Sequence, residues 1–393
     1  MCGGHDFFPG VFPESLTVSE LERFAGTDVS RRSLLKAVAG VSGLALAGAA
    51  GCSRGASDDR VAAAVVHPVG APEQQATPAV VALKPVDAAE VIVVMDGFVD
   101  YLVAGAEGVT RFPLAYDQWT DRQQLIAEHG FSALVTVESA GTRSSVLYDG
   151  GLTPVAMGRN LDVMEIGTKD LRAIAISHGH ADHHGGLEGL FDRPGRLKLP
   201  LVIHPEAWRD RKIVFPTGNE LHLPPPKRSD LEREGVQVVE ERGASLLVDE
   251  TFLVSGQVER VTPFEKGFQN HYARLDGKWE KDPLVNDDQN LIVNVKDKGL
   301  VVVSGCSHSG AVNVLKNAQR LTGEQRIAGF IGGLHLSGAA AEPIIQPTID
   351  ALTAMRVGRI VPAHCTGWKA VHAIARAMPD AFVQPAVGTK LRF

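Results

Sequence analysis

The chain has 393 residues, of which 44% are hydrophobic and 22% charged, and this composition excludes disorder across the whole chain. A formal net charge of −7 gives no basic electrostatic footprint, so nucleic acid is not an expected partner. The four cysteines form no Cys-x-x-Cys pair, which argues against a disulfide framework.

The N-terminal region has the pattern of an export signal. Arg31 and Arg32 precede an uncharged, weakly apolar run over residues 37–51, which is too short for an ordinary membrane span. Residues 30–36 resemble the Ser-Arg-Arg-x-Phe-Leu-Lys pattern of twin-arginine signals, with Leu34 in place of Phe. The resemblance implies that the twin-arginine export machinery is a partner and that the protein is periplasmic or at the cell surface. A short Ala-rich helix of the folded domain is the alternative.

The sequence predicts a signal region over residues 1–52 and a flexible linker over residues 53–88. The linker is rich in Ala, Pro, Val and Gln and has no clear period. Cys52 follows a run of Ala and Gly, as the lipidated cysteine of bacterial lipoproteins does, but Ala49 stands where those motifs usually carry Leu. Membrane anchoring is therefore expected only if Cys52 is lipidated.

Residues 89–393 are predicted to form one catalytic domain, because short apolar runs bounded by Gly, Asp and Pro alternate with helical periods. The predicted strands are 91–95, 131–137, 145–148, 171–176, 199–203, 291–295, 300–303 and 359–362, and the predicted helices are 185–191, 311–321 and 368–377. This alternation predicts a layered α/β architecture.

Residues from about 210 to 288 differ from the rest, with three consecutive prolines at 224–226 and many charges. Long irregular segments in compact domains are uncommon unless they serve a function. We therefore predict an insert that acts as a lid or a substrate-selecting flap, with a merely tolerated surface insertion as the alternative.

A dense cluster of metal-binding side chains follows the predicted strand 171–176. Four histidines and one aspartate stand within residues 178–184, and these side chains are costly to bury unless they are paired or bound to metal. His178 and His180 are two residues apart and so can face one ion, while Asp182 and His183 begin the next turn and can face a second. The spacing predicts two divalent metal ions, with zinc expected and iron or manganese also compatible.

His-x-His-x-Asp-His after an apolar strand resembles the defining motif of the metallo-β-lactamase superfamily. The resemblance implies a metallo-β-lactamase-type four-layer αβ/βα sandwich with the metals at one edge of the two sheets. It also implies that Asp149, which ends the preceding strand, is the supporting aspartate of that family.

Four further stretches are similar to the subgroup that includes the 7,8-dihydropterin-6-methyl-4-(β-D-ribofuranosyl)aminobenzene 5′-phosphate synthase family. They are EHGFS at 128–132, GCSHSG at 305–310, GGLHL at 332–336 and PAHCTG at 362–367. The resemblance implies that His308 is the third ligand of the first metal and that His364 is the terminal ligand of the second. His335 would donate a hydrogen bond to a metal ligand, contact the substrate or have only a structural role in fixing its loop.

The bridging ligand is the main departure from the family pattern. Many members carry a metal-bridging aspartate where this chain has Cys306. Three alternatives remain for the group between the two metals. It is the Cys306 thiolate, or another acid such as Asp287 or Asp288, or solvent alone. Cys365 is expected to be a buried neighbour of His364. The isolated histidines are not expected to be ligands; they are His129, His204 and His222.

These features predict a metal-dependent hydrolase that activates water against an ester, lactone or phosphoester-type bond of a small-molecule substrate. Asp182 is the predicted catalytic residue, because it can orient or deprotonate that water as well as hold metal. A synthase-like transferase and a non-catalytic, metal-holding binding protein are the alternatives.

Overall fold

A computed structural model describes residues 66–68, 80–114, 124–193 and 197–393. The predicted twin-arginine signal, Cys52 and most of the predicted linker lie outside these residues. Within the described ranges, every helix is too short or too polar to cross a membrane.

Seven strands form the first sheet. In spatial order they are β1 (His67–Pro68), β11 (Ser245–Leu247), β12 (Phe252–Val254), β15 (Asn290–Val295), β16 (Gly299–Ser304), β17 (Ile327–Gly333) and β18 (Ile360–Ala363). The pairs β16–β17 and β17–β18 are parallel, and the other neighbours are antiparallel.

Eight strands form the second sheet. In spatial order they are β10 (Gln237–Glu240), β7 (Pro200–Ile203), β6 (Leu171–Ala175), β5 (Thr142–Tyr148), β4 (Ser132–Ser139), β2 (Ala88–Met95), β19 (Lys390–Arg392) and β3 (Val109–Thr110). The strands from β10 to β5 are parallel, and the remaining neighbours are antiparallel.

Helices cover the outer face of each sheet. The α-helices of the described ranges are α1 (Pro154–Val163), α2 (Ala181–His184), α3 (Glu188–Phe191), α4 (Arg228–Arg233), α5 (Ala311–Thr322), α6 (Ile345–Ala354) and α7 (Trp368–Ala377). Single 3₁₀ turns lie at Pro205–Trp208, Glu342–Ile344 and His364–Thr366.

Three apolar layers hold the sandwich together. Val135 and Val303 belong to the layer between the two sheets. Leu315 of α5 packs in the layer outside the first sheet, and Leu161 of α1 packs in the layer outside the second. The predicted four-layer αβ/βα sandwich of the metallo-β-lactamase type is therefore confirmed.

Strand β15 shows why the sequences of the central strands are nearly continuous apolar runs. Leu291 and Val293 face the layer between the sheets, whereas Ile292 faces the helical layer outside. Alternate side chains of a strand point to opposite faces, so a strand covered on both faces has apolar residues at successive positions.

Most predicted elements agree with the structure, and the predicted helix 368–377 coincides with α7. Of the predicted helix 185–191, only residues 188–191 are α-helical, as α3. The chain turns at 185–187, after the separate short helix α2. The sequence did not predict β17, α1 or α6.

The prediction of an irregular insert at 210–288 is wrong in its description of the backbone. Strands β10, β11 and β12 belong to the two main sheets. A third, antiparallel sheet, here called the accessory sheet, contains β14 (Lys278–Lys281), β13 (His271–Leu275), β8 (Arg211–Val214) and β9 (Glu220–Leu223) in that order. The strands of the accessory sheet are four or five residues long and several are half exposed, so charged residues interrupt the apolar signal.

The packed domain also begins before residue 89, where the sequence places its start. Val81, Leu83 and Val86 are buried in the apolar layers of the sandwich. The backbone N–H of Val86 donates to the carbonyl of Asn294, which ties this segment to the end of β15.

Candidate metal centre

The predicted metal-binding residues meet at one edge of the two sheets. The His178 loop follows β6 and Asp149 follows β5, while Cys306 follows β16 and His364 follows β18. β5 and β6 are parallel neighbours, and so are the strands from β16 to β18, so the carboxyl ends within each group lie at one edge. Such an edge is where open α/β sheets place their ligands.

Three imidazoles, here called the first cluster, converge with their ring nitrogens. Nε2 of His178 lies 3.0 Å from Nδ1 of His180, and Nε2 of His308 lies 3.2 Å from that same Nδ1. A neutral ring nitrogen satisfies one hydrogen-bond partner, whereas this one faces two. Nitrogens bound to one tetrahedral zinc ion at 2.0–2.1 Å are about 3.3 Å apart. The first cluster therefore fits a single cation.

Asp182, His183 and His364 form the second cluster. Oδ2 of Asp182 lies 3.3 Å from Nε2 of His364 and 3.8 Å from Nε2 of His183. The side chains of both histidines are fully buried, and that of Asp182 is 21% exposed. Only the carboxylate of this cluster is open to solvent, and an ion held there would have imidazole and carboxylate ligands.

The sulfur of Cys306 is shared between the two clusters. One possible ligand atom from each of Cys306, His178 and His308 lies within 4.8 Å of the others, and the same holds for Cys306, His183 and His364. Sγ also lies 3.2 Å from Nε2 of His183. Of the bridging groups that the sequence leaves open, Cys306 is the side chain positioned between the clusters.

The other two candidates for the bridge are bound elsewhere. Asp287 accepts from the guanidinium of Arg211 at 2.6 and 3.1 Å and from the backbone N–H of Gly179 at 2.8 Å. Asp288 accepts from the backbone N–H of Ser309 at 2.9 Å. Neither belongs to a possible metal-binding group among the described residues.

Gly179, between His178 and His180, is closely packed between Asp287 and the backbone of Ala207. Its N–H donates to Asp287, and a Cβ at this position would lie 2.1 Å from the carbonyl oxygen of Ala207. A side chain would force the loop away from the 3₁₀ turn at Pro205–Trp208. Glycine is therefore required for the close approach that orients both histidines.

Buried hydrogen bonds orient the histidines of the second cluster. Oδ2 of Asp149 lies 2.7 Å from Nδ1 of His183, and Oδ1 accepts from the N–H of Ser177 at 2.7 Å. Oδ1 of Asp96, at the end of β2, accepts from the backbone N–H of His364 at 2.8 Å. Asp149 contacts the imidazole itself, and a carboxylate in that position sets the tautomer and ring orientation of a metal-binding histidine. Asp96 instead holds the backbone of the turn that carries His364.

Four non-glycine residues at this edge have left-handed backbones. They are Asp149, Ser307, His335 and His364, with φ of 60, 56, 46 and 51°. Such conformations cost free energy in L-residues and persist where the surroundings over-determine them. Their concentration at one edge indicates that the packed strands hold these turns in place.

The pKa values of the first cluster favour neutral imidazole. Burial, followed by neighbouring cationic groups, lowers the pKa of His178 and of His180 well below the usual value. Burial and the adjacent histidines do the same to the pKa of His308. Metals bind the neutral form, so these side chains are ready to act as ligands at neutral pH.

His183 of the second cluster and the shared Cys306 hold protons that a cation would displace. Burial alone would lower the pKa of His183, but the carboxylates of Asp182 and Asp149 raise it to about 9. Burial and Cys365 raise the pKa of the Cys306 thiol well above its usual value. Although burial opposes it, His183 and His364 hold the pKa of Asp182 well below its usual range.

The structure places the remaining predicted residues around the centre. The His335 ring lies 4.6 Å from that of His308, and Sγ of Cys365 lies 3.6 Å from the carbonyl of Cys306. His129 was not expected to be a ligand, but it forms a possible metal-binding group with Asp182 and His364. Its Nε2 lies 3.8 Å from Oδ2 of Asp182 at the exposed rim.

His204 and His222 stand outside both clusters. Nδ1 of His204 accepts from the N–H of Glu206 and so begins the 3₁₀ turn at Pro205–Trp208. The His222 side chain is 64% exposed in β9.

Sequence reasoning missed His271, whose ring lies 5.5 Å from that of His180 and 5.6 Å from that of His308. His271 is buried at the start of β13 in the accessory sheet. A lone histidine about 90 residues after the motif carries no spacing signal. Only the pairing of β13 with β8 brings it to the centre.

Comparison with known proteins finds a matching family model and similar sequences. The family model described as the metallo-beta-lactamase superfamily matches residues 127–262. The 7,8-dihydropterin-6-methyl-4-(beta-D-ribofuranosyl)-aminobenzene-5'-phosphate synthase of Methanocaldococcus jannaschii is 29% identical over 298 residues, which cover 74% of this chain and 99% of the relative.

A second similar sequence and a similar solved structure are each covered over most of their length. Uncharacterized protein MJ0448 of Methanocaldococcus jannaschii is 30% identical over 255 residues, 64% of this chain and 89% of that relative. The solved structure of Tm1679, described as a metal-dependent hydrolase of the beta-lactamase superfamily, has a TM-score of 0.59 and 25% identity, covering 77% of this chain and 98% of that one.

Proposed function

Because this chain belongs to the metallo-beta-lactamase superfamily, we propose that it is a metal-dependent hydrolase of a small molecule with an ester, lactone or phosphoester-type bond. The observation that carries the proposal is the pair of buried clusters on either side of the Cys306 sulfur. The similarity to a solved structure described as a metal-dependent hydrolase also supports it.

The proposed centre takes two divalent cations, with zinc as the expected metal and iron or manganese as alternatives. The first would be held by His178, His180 and His308, and the second by Asp182, His183 and His364. The Cys306 thiolate would lie between them, since its sulfur approaches both clusters. Cations at these positions would polarise an oxygen of the substrate and lower the pKa of a bound water to about 7.

The chain's own residues supply orientation and proton transfer. The carboxylate of Asp182 is 21% exposed, so it faces the opening as well as the second cluster. It can therefore orient the attacking water and accept its proton. Asp149 keeps the imidazole of His183 in position through its 2.7 Å contact with Nδ1.

A substrate panel with and without metal tests this function. p-Nitrophenyl acetate, a γ-lactone and bis(p-nitrophenyl) phosphate represent the three bond classes. We expect at least one to be hydrolysed, and we expect a chelator or the substitution His364→Ala to reduce turnover at least about a thousand-fold. His372→Ala changes an exposed histidine of α7 and is the matched control. Turnover that persists after complete removal of the metal would contradict the proposal.

A synthase activity is the second candidate, because the similarity to the synthase of Methanocaldococcus jannaschii spans 99% of that protein. Incubation of the metal-loaded protein with a 7,8-dihydropterin and a ribofuranosylaminobenzene 5′-phosphate distinguishes the two. A product that joins both substrates would favour the synthase. Hydrolysis products alone would favour the hydrolase.

We also propose that residues 1–52 direct export through the twin-arginine route. The support is the paired arginine before an uncharged run. A fusion of this segment to a reporter that is active only after export should be secreted, and replacing Arg31 and Arg32 by Lys should abolish secretion. Equal secretion by both fusions would argue against the twin-arginine route.

A further inference from the structure

The accessory sheet places one buried histidine beside the first cluster. His271 begins β13 and is 5% exposed. Its ring centroid lies 5.5 Å from that of His180 and 5.6 Å from that of His308. His271 is therefore adjacent to two of the three imidazoles that would hold the first cation, although it belongs to neither possible metal-binding group around Cys306.

The aromatic ring of Phe268 lies beside this histidine. The Phe268 ring lies 5.6 Å from the His271 ring, 5.3 Å from the His308 ring and 4.1 Å from the His335 ring. The carbonyl of Phe268 accepts from the N–H of His271 at 3.1 Å, which fixes the turn that joins them. Polar contacts made beside such a ring are weakly screened by water and are therefore stronger than contacts in solvent.

One ring nitrogen of His271 has no assigned role. Nδ1 is buried and makes no hydrogen bond within the described residues. Buried polar atoms are nearly always paired, so an orphaned nitrogen beside a candidate centre points to a partner that arrives with the substrate.

Strand pairing positions His271. In the register of β13 and β8, His271 pairs with Ile213 and Ala273 pairs with Arg211. The Arg211 guanidinium is bound to Asp287, whose second oxygen accepts from the Gly179 N–H in the His178 loop. The pairing of β13 with β8, the ion pair of Arg211 with Asp287 and the Gly179 hydrogen bond therefore connect His271 indirectly to the loop that carries His178 and His180.

We infer that His271 is a catalytic residue that donates a hydrogen bond from its ring to the oxygen on which negative charge develops as the substrate bond is attacked. This inference rests on the proposed hydrolase function. The ligand chemistry is an oxyanion, either a tetrahedral carbonyl oxygen or a phosphoryl oxygen, and no proton changes place. Removal of one such donor typically reduces kcat about a hundred-fold to a thousand-fold.

The test compares substitutions that keep or remove the donor in the full-length, zinc-loaded chain. His271→Asn keeps a donor near the Nδ1 position, and His271→Ala removes it. His222→Ala is the control, because His222 lies in the same sheet with its side chain 64% exposed. The measurements are kcat on the best substrate of the panel, metal content, and the affinity for inorganic phosphate by calorimetry.

We expect His271→Ala to reduce kcat about a hundred-fold and to weaken phosphate binding roughly ten-fold. Metal content should stay at the wild-type value, His271→Asn should recover part of both losses, and His222→Ala should match the wild type. Wild-type kcat and phosphate affinity in His271→Ala would overturn the inference, and so would a loss of metal in that variant. If the wild type hydrolyses no panel substrate, the proposed function fails and the catalytic role of His271 fails with it. If the wild type is active and only phosphate binding is lost in His271→Ala, the transition-state role is overturned.

Discussion

The substitution Arg211→Met removes a buried cation that joins the accessory sheet to the His178 loop. The Arg211 residue is 2% exposed. Nε donates to Asp282 at 2.9 Å, and two further nitrogens donate to Asp287 at 2.6 and 3.1 Å. Methionine of similar length leaves both carboxylates without their cation, and these residues are only 7% and 0% exposed.

The expected loss of stability is large. Removing one partner of a buried ion pair costs about 3–5 kcal/mol, because an uncompensated buried charge remains. For a domain of this size, that corresponds to a fall in Tm of roughly ten degrees. The Gly179 N–H depends on Asp287, so the His178 loop should also loosen and bind metal more weakly.

Chemical denaturation and calorimetry of the metal-free and zinc-loaded variant measure both effects. Arg233→Met is the matched control, because Arg233 also pairs with an acid, Asp230 at 2.9 Å, but its side chain is 65% exposed. The control should change the free energy of unfolding by less than about 1 kcal/mol. In a double-mutant cycle, Asp287→Asn combined with Arg211→Met should cost less than the sum of the single changes. Equal effects of Arg211→Met and Arg233→Met would refute this reasoning.

Three further predictions concern the metal centre. His308→Ala should lower the metal content by about one ion per chain in elemental analysis, whereas His372→Ala should not, and equal contents would exclude His308 as a ligand. Zinc binding at pH 7 should release about two protons, because raised pKa values keep Cys306 and His183 protonated in the metal-free protein. Calorimetry in buffers of different ionisation enthalpy measures this release, and Cys306→Ala should reduce it by about one; no reduction would show that the thiol does not bind. Asp149→Asn should weaken zinc binding about ten-fold to a hundred-fold in a competition with a chromogenic chelator, and unchanged affinity would contradict the orienting role of its contact with His183.

Much of the centre follows from short-range sequence patterns. His178, His180, Asp182 and His183 occupy one loop, so their spacing alone places them together after β6. His308 and Cys306 lie in the turn after β16, and the parallel strands β16, β17 and β18 have their carboxyl ends at the same edge. The resemblance to a known family identified these turns, and the structure brings them together.

The accessory sheet and its contacts could not be predicted in the same way. β8 and β13 are separated by more than fifty residues, and neither has a long apolar run. The ion pair between Arg211 and Asp287 joins residues 76 positions apart, so no local period signals it. For the same reason Asp287 remained a candidate for the bridge, whereas the structure shows it bound to Arg211 and Gly179.

Boundaries were missed where packing overrides composition. Residues 80–86 have the composition of a linker, but Val81, Leu83 and Val86 fill gaps in the apolar layers. β17 contains three glycines, which lower the strand signal, although it is the central parallel partner of β16 and β18. Burial of both faces of that strand, rather than its intrinsic preference, accounts for its formation.

Metal content per chain tests the central claim most directly. Elemental analysis of the purified protein, loaded with zinc and freed of excess metal, should find about two ions per chain. The combined substitution His178→Ala and His180→Ala should reduce that number by at least about one, while circular dichroism should show the same sandwich. No bound metal in the wild type, or an unchanged content in the double variant, would contradict the assignment of a two-metal centre to this edge of the sheets.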